Sequence, residues 1–238
     1  MELSQSVIHF SEKDLDTQIY RVMPADRLFE IFESKQLTLV QPGKWDDPFE
    51  NLILKGLISG VLDRFPASKV FRNDIYGQCW TLQRESDAMW RIYSQDKNGV
   101  RVRCTIRTLL ESIHLFNPDA NLESIFIGKV AYLTQKDLIS KLTSVADIYG
   151  KEAATSLLYK RMEFKHESEV RLICTSGIGE TQKLSIEPNK VFDEIVFDPR
   201  MNQHIYRAYS GLLSSQGFGN RVSKSVLYQL PKDLRGNF

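Results

Sequence analysis

The most constraining stretch of this chain is Phe164–Cys174, where charged side chains recur at every second position and are followed by an apolar segment. Glu167, Glu169 and Arg171 carry these charges, and a period of two is typical of a β-strand with one polar face. The sequence therefore predicts a strand on which the three side chains point the same way. Two carboxylates about 7 Å apart repel each other, and Arg171 is the nearest cation to offset that.

Two interpretations of this acidic strand are open from the pattern alone. In the first, it is a solvated face whose ion pair contributes under about 1 kcal/mol. In the second, it is an active-site pair, in which one glutamate orients and hydrogen-bonds while the other, with a pKa raised by its neighbour, polarises a hydroxyl. Other segments of the sequence are needed to choose between these two interpretations.

Length and composition indicate an ordinary globular protein. The chain has 238 residues, of which 42% are hydrophobic and 26% charged, enough to bury a sizeable core. We expect residues 1–17 to be a polar N-terminal lead and residues 18–238 to form one domain. The formal net charge of +1 provides no global field for non-specific binding to nucleic acid.

Location and redox state follow from what the sequence lacks. No apolar run reaches the roughly 18 residues of a membrane span, and the N-terminus has no secretion-signal pattern. The three cysteines, Cys79, Cys104 and Cys174, are widely spaced and lie in apolar segments. We therefore expect reduced thiols in a cytoplasmic protein with no contact to membranes, and no zinc site, because paired Cys or His spacing is missing.

Periodicity predicts an α+β fold, with a mixed, largely antiparallel sheet flanked by helices. Besides the acidic strand, we predict strands over residues 18–23, 37–40, 75–82, 99–106, 125–132, 183–186, 191–197 and 221–228. Predicted helices cover residues 24–34, 88–94, 108–115, 136–163 (with a break near 149–150) and 202–213. The arginines in the alternating strand 99–106 are expected to face solvent.

Two early segments carry candidate ligand contacts. Arg21 lies on a strand that leads into a helix; it is either a surface or salt-bridging arginine or a ligand for phosphate, since its planar guanidinium offers a bidentate fork. Trp45, Asp46 and Asp47 lie in a loop rich in proline and glycine. Asp47 fits a helix cap, and it also fits a ligand contact at the lip of a pocket.

The helix at 88–94 carries two aromatic residues, Trp90 and Tyr93, on one face. Trp90 fits a core position, whereas the Tyr93 hydroxyl can meet a ligand. Elsewhere the chain lacks G-x-x-x-x-G-K-[ST], a G-x-G-x-x-G after a strand, G-x-S-x-G and H-E-x-x-H. These absences argue against phosphate-loop nucleotide hydrolysis, ordinary dehydrogenation and serine hydrolysis.

Three motifs, in this order, resemble a widespread bacterial family described only as a domain of unknown function. They are Trp45-Asp46-Asp47-Pro48-Phe49-Glu50, Met89-Trp90-x-x-Tyr93 and Phe164-x-x-Glu167-x-Glu169-x-Arg171. The resemblance covers roughly residues 18–200. The sequence departs from the family pattern at Trp45 and Asp46, where Phe-Asn is usual, and at Phe164, where Trp is usual.

The layout of that family is similar to the ADP-ribosyltransferase superfamily, which implies a split sheet and NAD as substrate. By this resemblance Arg21, with Tyr20 beside it, anchors the dinucleotide, and Thr81 or Tyr93 supports the ribose on the nicotinamide side. Glu169 holds the ribose 2′-hydroxyl and stabilises the oxocarbenium-like cation. Glu167 completes E-x-E and orients or deprotonates the acceptor.

Three hypotheses result. The first is an NAD-using ADP-ribosyltransferase-like enzyme, a toxin or antiviral defence effector that modifies nucleic acid or protein and has an antitoxin or defence partner. The second is a metal-dependent hydrolase or nuclease with Asp46 or Asp47 and Glu167/Glu169 as oxygen ligands for Mg²⁺. The third is a non-catalytic binding module in which Trp45, Trp90 and Tyr93 line a groove.

Overall fold

A large mixed sheet is the centre of the structure, a computed structural model that describes residues 3–45, 47, 74–144 and 149–229. In chain order the strands are β1 (Val7–Ile8), β2 (Gln18–Pro24), β3 (Gln36–Val40), β4 (Tyr76–Thr81), β5 (Gly99–Thr105), β6 (Ile125–Lys129), β7 (Ala131–Leu133), β8 (Tyr159–Arg161), β9 (Glu169–Cys174), β10 (Thr181–Ser185), β11 (Glu194–Phe197) and β12 (Arg221–Lys224). The main path across the sheet is β1-β6-β9-β4-β2-β5-β11-β12, and β3 connects β4 to β10.

Antiparallel pairing dominates this sheet. The exceptions within the described strands are β1 with β6 and β11 with β12, which run parallel. Strands β7 and β8 form a separate parallel pair. The predicted α+β class, with a mixed and largely antiparallel sheet, is therefore confirmed.

Helices flank the sheet, and several of them begin at a side-chain cap. They are α1 (Ala25–Ser34), α2 (Asp87–Tyr93), α3 (Ile106–Phe116), α4 (Gln135–Thr143), α5 (Gly150–Ser156), α6 (Pro188–Val191) and α7 (Gln203–Ser215). The Ser86 hydroxyl accepts the N–H of Met89 at the start of α2. None of the described helices is long and apolar enough to cross a membrane.

The main core lies between one face of the sheet and the apolar faces of α1 and α3. Leu28 of α1 and Leu109 of α3 are completely buried there with Ile19 and Val102 of the sheet. A smaller core on β6 and β9 is covered by residues of α5 and by the segment that follows α5. Burial of these apolar faces holds the strands of the candidate site in place.

The sheet opens beside β4. Among the described residues, β2 pairs with β4 at one position, Tyr20 with Thr81, and β3 pairs with β4 at one position, Val40 with Gly77. Strand β4 is therefore joined to β2 at one end and to β3 at the other. The gap between β2 and β3 is where a pocket forms.

Two predicted elements are wrong in detail. The helical region expected over residues 136–163, with a break near 149–150, is α4 and α5, but it ends at Ser156, and strand β8 follows where helix was expected. The strand expected over residues 125–132 is divided at Val130 into β6 and β7. Both errors have one cause, because β7 leaves the main sheet to pair with β8, a contact that no local pattern encodes.

The acidic stretch also differs from its prediction. Strand β9 begins only at Glu169, whereas Glu167 ends a 3₁₀ turn (Met162–Glu167) and Ser168 adopts a left-handed backbone conformation with φ 46°. Every residue of β9 is buried, so the solvated-face interpretation is wrong. The expectation for residues 99–106 is likewise wrong at Arg101, whose buried guanidinium pairs with Glu194 at 2.5 Å.

Candidate active site

A pocket of about 530 Å³ opens in the gap between β2 and β3, a size typical of small-molecule sites. Residues from β2, β3, β4 and α2 line it, together with Trp45 and the two glutamates of the acidic stretch. The lining includes six of the site residues proposed from the sequence: Tyr20, Arg21, Thr81, Tyr93, Glu167 and Glu169.

Glu169 is the most enclosed acid of the pocket, with a side chain that is 5% exposed. Its Oε1 accepts from Arg171 Nε at 3.1 Å, and its Oε2 accepts from Arg171 Nη2 at 2.8 Å and from Lys160 Nζ at 3.3 Å. Burial raises the pKa of this carboxyl, but the charge and hydrogen bonds of Arg171 and the charge of Lys160 outweigh burial and hold the pKa below its ordinary value. Glu169 is therefore a carboxylate at neutral pH.

Glu167 reaches the same cluster from the end of the 3₁₀ turn. Its Oε2 accepts from Lys160 Nζ at 2.6 Å, so that a single ammonium contacts both glutamates. Lys160 lies on β8 and its side chain is 8% exposed. Local pattern gives Lys160 no role in the site, because it predicts a helix there and the β7–β8 pairing that aims the side chain joins distant segments.

Arg21 is a cation that strand β2 brings to the pocket. Neither an ion pair nor a hydrogen bond to its guanidinium occurs among the described residues. Burial lowers the pKa of Arg21 to about 10, which leaves it charged at neutral pH. The other pocket-lining arginine, Arg27, already pairs with Glu30 at 2.7 Å. Arg21 thus presents an uncompensated positive charge to the pocket.

Two of the pocket hydroxyl groups are already engaged. Thr81 donates to the carbonyl oxygen of Glu167 at 2.5 Å and accepts the N–H of Gln83 at 3.0 Å. Tyr20 donates to Gln18 Oε1 at 2.9 Å. Thr81 can therefore only accept a hydrogen bond from a ligand, and its proton instead holds the turn that carries Glu167.

Tyr93 has a less constrained hydroxyl. It is 39% exposed, and no hydrogen bond to it occurs within the part of the chain that the structure describes. Burial of its hydroxyl end raises the pKa of Tyr93, and the charges of Glu167 and Glu169 raise it further. Tyr93 is therefore a neutral hydrogen-bond donor and an aromatic surface at the pocket edge.

Trp45, in the loop after β3, packs over the buried ion pair of Glu169 and Arg171. Its ring lies 4.5 Å from Arg171 Cζ, a cation–π contact. It also packs on Gly77, where an added Cβ would stand 2.6 Å from a ring carbon. A glycine at position 77 therefore allows the indole to lie over Arg171.

Two residues proposed from the sequence as cofactor contacts do not line the pocket. The Asp47 carboxylate is paired with Arg161 at 3.2 Å. Trp90 is 1% exposed, and its Nε1 donates to Glu85 Oε1 at 2.9 Å, as suits a core aromatic. Asp46 and the helix that Asp47 was expected to cap lie outside the described residues.

The carboxylates of the pocket do not form an evident metal centre. Across the described ranges, no three His, Cys, Asp or Glu side chains are grouped so that they could hold a metal ion. Lys160 already provides the positive charge between Glu167 and Glu169. Glu167 and Glu169 are therefore a pair of acids whose negative charge is offset by the lysine ammonium between them.

Among known proteins, a family model matches part of the chain. Residues 89–172 match the family described as a protein of unknown function, DUF2971. This match confirms the resemblance to a domain of unknown function. No curated protein matches the chain.

Three similar solved structures are of one protein, DarT from Thermus sp. 2.9. The complex with NAD+ covers 88% of this chain and 96% of that one, and the complex with ADP-ribosylated ssDNA covers 92% and 97%. The complex with carba-NAD+ covers 91% and 97%. Each is 12% identical with a TM-score of 0.40, a likeness too distant to assign a function.

Proposed function

We propose that the pocket binds NAD and that the protein is an ADP-ribosyltransferase-like enzyme. The observation that carries this proposal is the charge arrangement of the pocket wall. Strand β2 brings Arg21, whose guanidinium has no ion-pair partner among the described residues, and the acidic stretch brings Glu167 and Glu169, which share Lys160. A ligand that carries both an anionic group and hydroxyl groups complements this lining.

Arg21 is the proposed anchor for the pyrophosphate. A guanidinium forms bidentate hydrogen bonds with phosphate oxygens and remains protonated. Because Arg21 has no competing partner in the described structure, it gives up no ion pair when a phosphate binds.

The acid pair is the proposed reactive end. In this chemistry the bond from the ribose C1′ to the nicotinamide nitrogen breaks with both electrons going to nicotinamide, and a nucleophile then bonds to C1′ and releases its proton. A carboxylate beside the ribose hydroxyl stabilises the positive charge that develops on the ring. The Tyr93 ring at the pocket edge offers a surface for the planar nicotinamide.

For the acceptor, the resemblance to ADP-ribosyltransferases supports a nucleic acid or a protein. A role as a toxin or antiviral defence effector, with a neutralising partner in the cytoplasm, follows from the same resemblance.

The proposal predicts that Arg21 controls affinity. Arg21→Met is expected to weaken NAD binding about 10- to 100-fold, because charge-assisted hydrogen bonds contribute about 1.5–3 kcal/mol. Isothermal titration calorimetry measures this, and chromatography measures nicotinamide release. The matched control is Arg107→Met, which removes a surface arginine paired with Asp16 outside the pocket and should leave binding unchanged. If the unmodified protein neither binds NAD nor releases nicotinamide, the proposed function is wrong.

A further inference from the structure

The two glutamates of the pocket are not equally available to a ligand. Both Glu169 oxygens accept from Arg171, and one of them also contacts Lys160. The Cys79 thiol donates a further hydrogen bond that lowers the pKa of Glu169. A carboxylate has about four lone-pair sites, so these contacts occupy essentially all of them.

Glu167 is only half engaged. Its Oε2 accepts from Lys160, whereas no hydrogen bond from the described residues reaches its Oε1. Its side chain is 13% exposed, compared with 5% for Glu169. Because both residues line the pocket, the carboxylate oxygen with unused lone pairs belongs to Glu167.

The backbone of Glu167 is held as firmly as its side chain. The Thr81 hydroxyl donates to the carbonyl oxygen of Glu167 at 2.5 Å, and the N–H of Leu82 donates to the carbonyl oxygen of Ser168 at 2.9 Å. Lys160 then holds Oε2 at 2.6 Å. Fixing both the peptide and one carboxylate oxygen leaves Oε1 in one orientation, and such preorganisation is what stabilises a developing charge.

We infer that Glu167, rather than Glu169, is the carboxylate that contacts the ribose hydroxyl, and that Lys160 and Glu169 are positioning residues that aim it. Lys160 does not itself line the pocket, so it acts from behind the carboxylates. Glu169, whose carboxylate is itself held by Arg171, binds the ammonium at the point where it also contacts Glu167. This division of roles rests on the proposed function for the identity of the ligand, and it reverses the roles that the E-x-E resemblance implies.

Steady-state nicotinamide release from NAD tests this inference. Glu167→Gln is expected to lower kcat about 10²- to 10³-fold, with the KM for NAD changed less than about threefold, because Arg21 still anchors the pyrophosphate. The control is Glu163→Gln, an exposed residue of the same 3₁₀ turn that does not line the pocket, and it should match the unmodified protein. Circular dichroism verifies that each variant is folded.

A second variant separates positioning from folding. Lys160→Ala should lower kcat with little change in KM, and methylammonium should restore part of the activity while sodium at the same ionic strength does not. A role limited to stability predicts no such rescue. The inference is overturned if folded Glu167→Gln retains kcat within threefold of the unmodified protein, or if methylammonium restores nothing. An unmodified protein that does not cleave NAD would instead refute the proposed function, and with it the ribose assignment.

Discussion

At the scale of single residues, the central feature is a buried acid that stays charged because cations surround it. Arg171 is fully buried and binds both oxygens of Glu169, and Lys160 adds a second positive charge. Desolvating such charges costs several kcal/mol for each ion, which only close pairing offsets. The stretch that resembles a polar strand face in the sequence is therefore a closed ionic cluster.

This cluster predicts a specific acid sensitivity. The pKa of Glu169 in the folded protein is below its ordinary value of 4.5, so the unfolded state binds the proton more readily. The stability from this group is present above pH 4.5 and is lost as the pH falls through the lowered folded value. Urea unfolding measured between pH 6 and pH 3.5 should show the free energy of unfolding falling more steeply for the unmodified protein than for Glu169→Gln. Parallel curves would contradict the prediction.

At the scale of elements, one left-handed residue separates the two glutamates. Ser168, with φ 46° and ψ 51°, ends the 3₁₀ turn and starts β9 in a new direction. Without this turn, Glu167 would continue the strand and share a face with Glu169. Instead it approaches Lys160 from a different element, and the carboxylates share one cation.

The backbone of Ser168 provides a prediction for this element. Ser168→Val should cost about 1–2 kcal/mol, because a left-handed conformation is unfavourable for a β-branched residue, whereas Ser168→Gly should be tolerated. The kcat for nicotinamide release should fall in Ser168→Val as Glu167 moves, with the KM for NAD little changed. Lys35→Val is the matched control, since Lys35 is also left-handed but ends α1 outside the pocket. It should lose similar stability in urea unfolding and keep its kcat; equal losses of kcat in both variants would contradict the assignment.

At the scale of the whole molecule, the pocket exists because the sheet is split. Strands β2 and β3 each pair with β4 at one described position, and side chains of both strands line the opening between them. Trp45, which follows β3 in the chain, reaches across to Arg171 of β9 and packs on Gly77 of β4. The indole therefore links the β3 side of the split to the ionic cluster.

Gly77 tests this link. Gly77→Ala should destabilise the protein by about 1–3 kcal/mol through overpacking against Trp45, and it should weaken NAD binding as the indole leaves Arg171. Gly43→Ala is the control, because an added Cβ there has nothing within 4 Å. Thermal unfolding and calorimetry measure both effects. Unchanged stability in Gly77→Ala would show that Trp45 does not pack on Gly77 as described.

Local pattern determined much of this protein from the sequence alone. The α+β class and strands β2, β4 and β5 follow from periodicity, which acts between residues close in the chain. Only the tertiary structure decided that Lys160 bridges Glu167 and Glu169, and that Arg21 lines the same pocket with no ion-pair partner among the described residues. These contacts depend on which distant strands pair and on where the sheet splits, and side-chain pattern within one segment does not specify either.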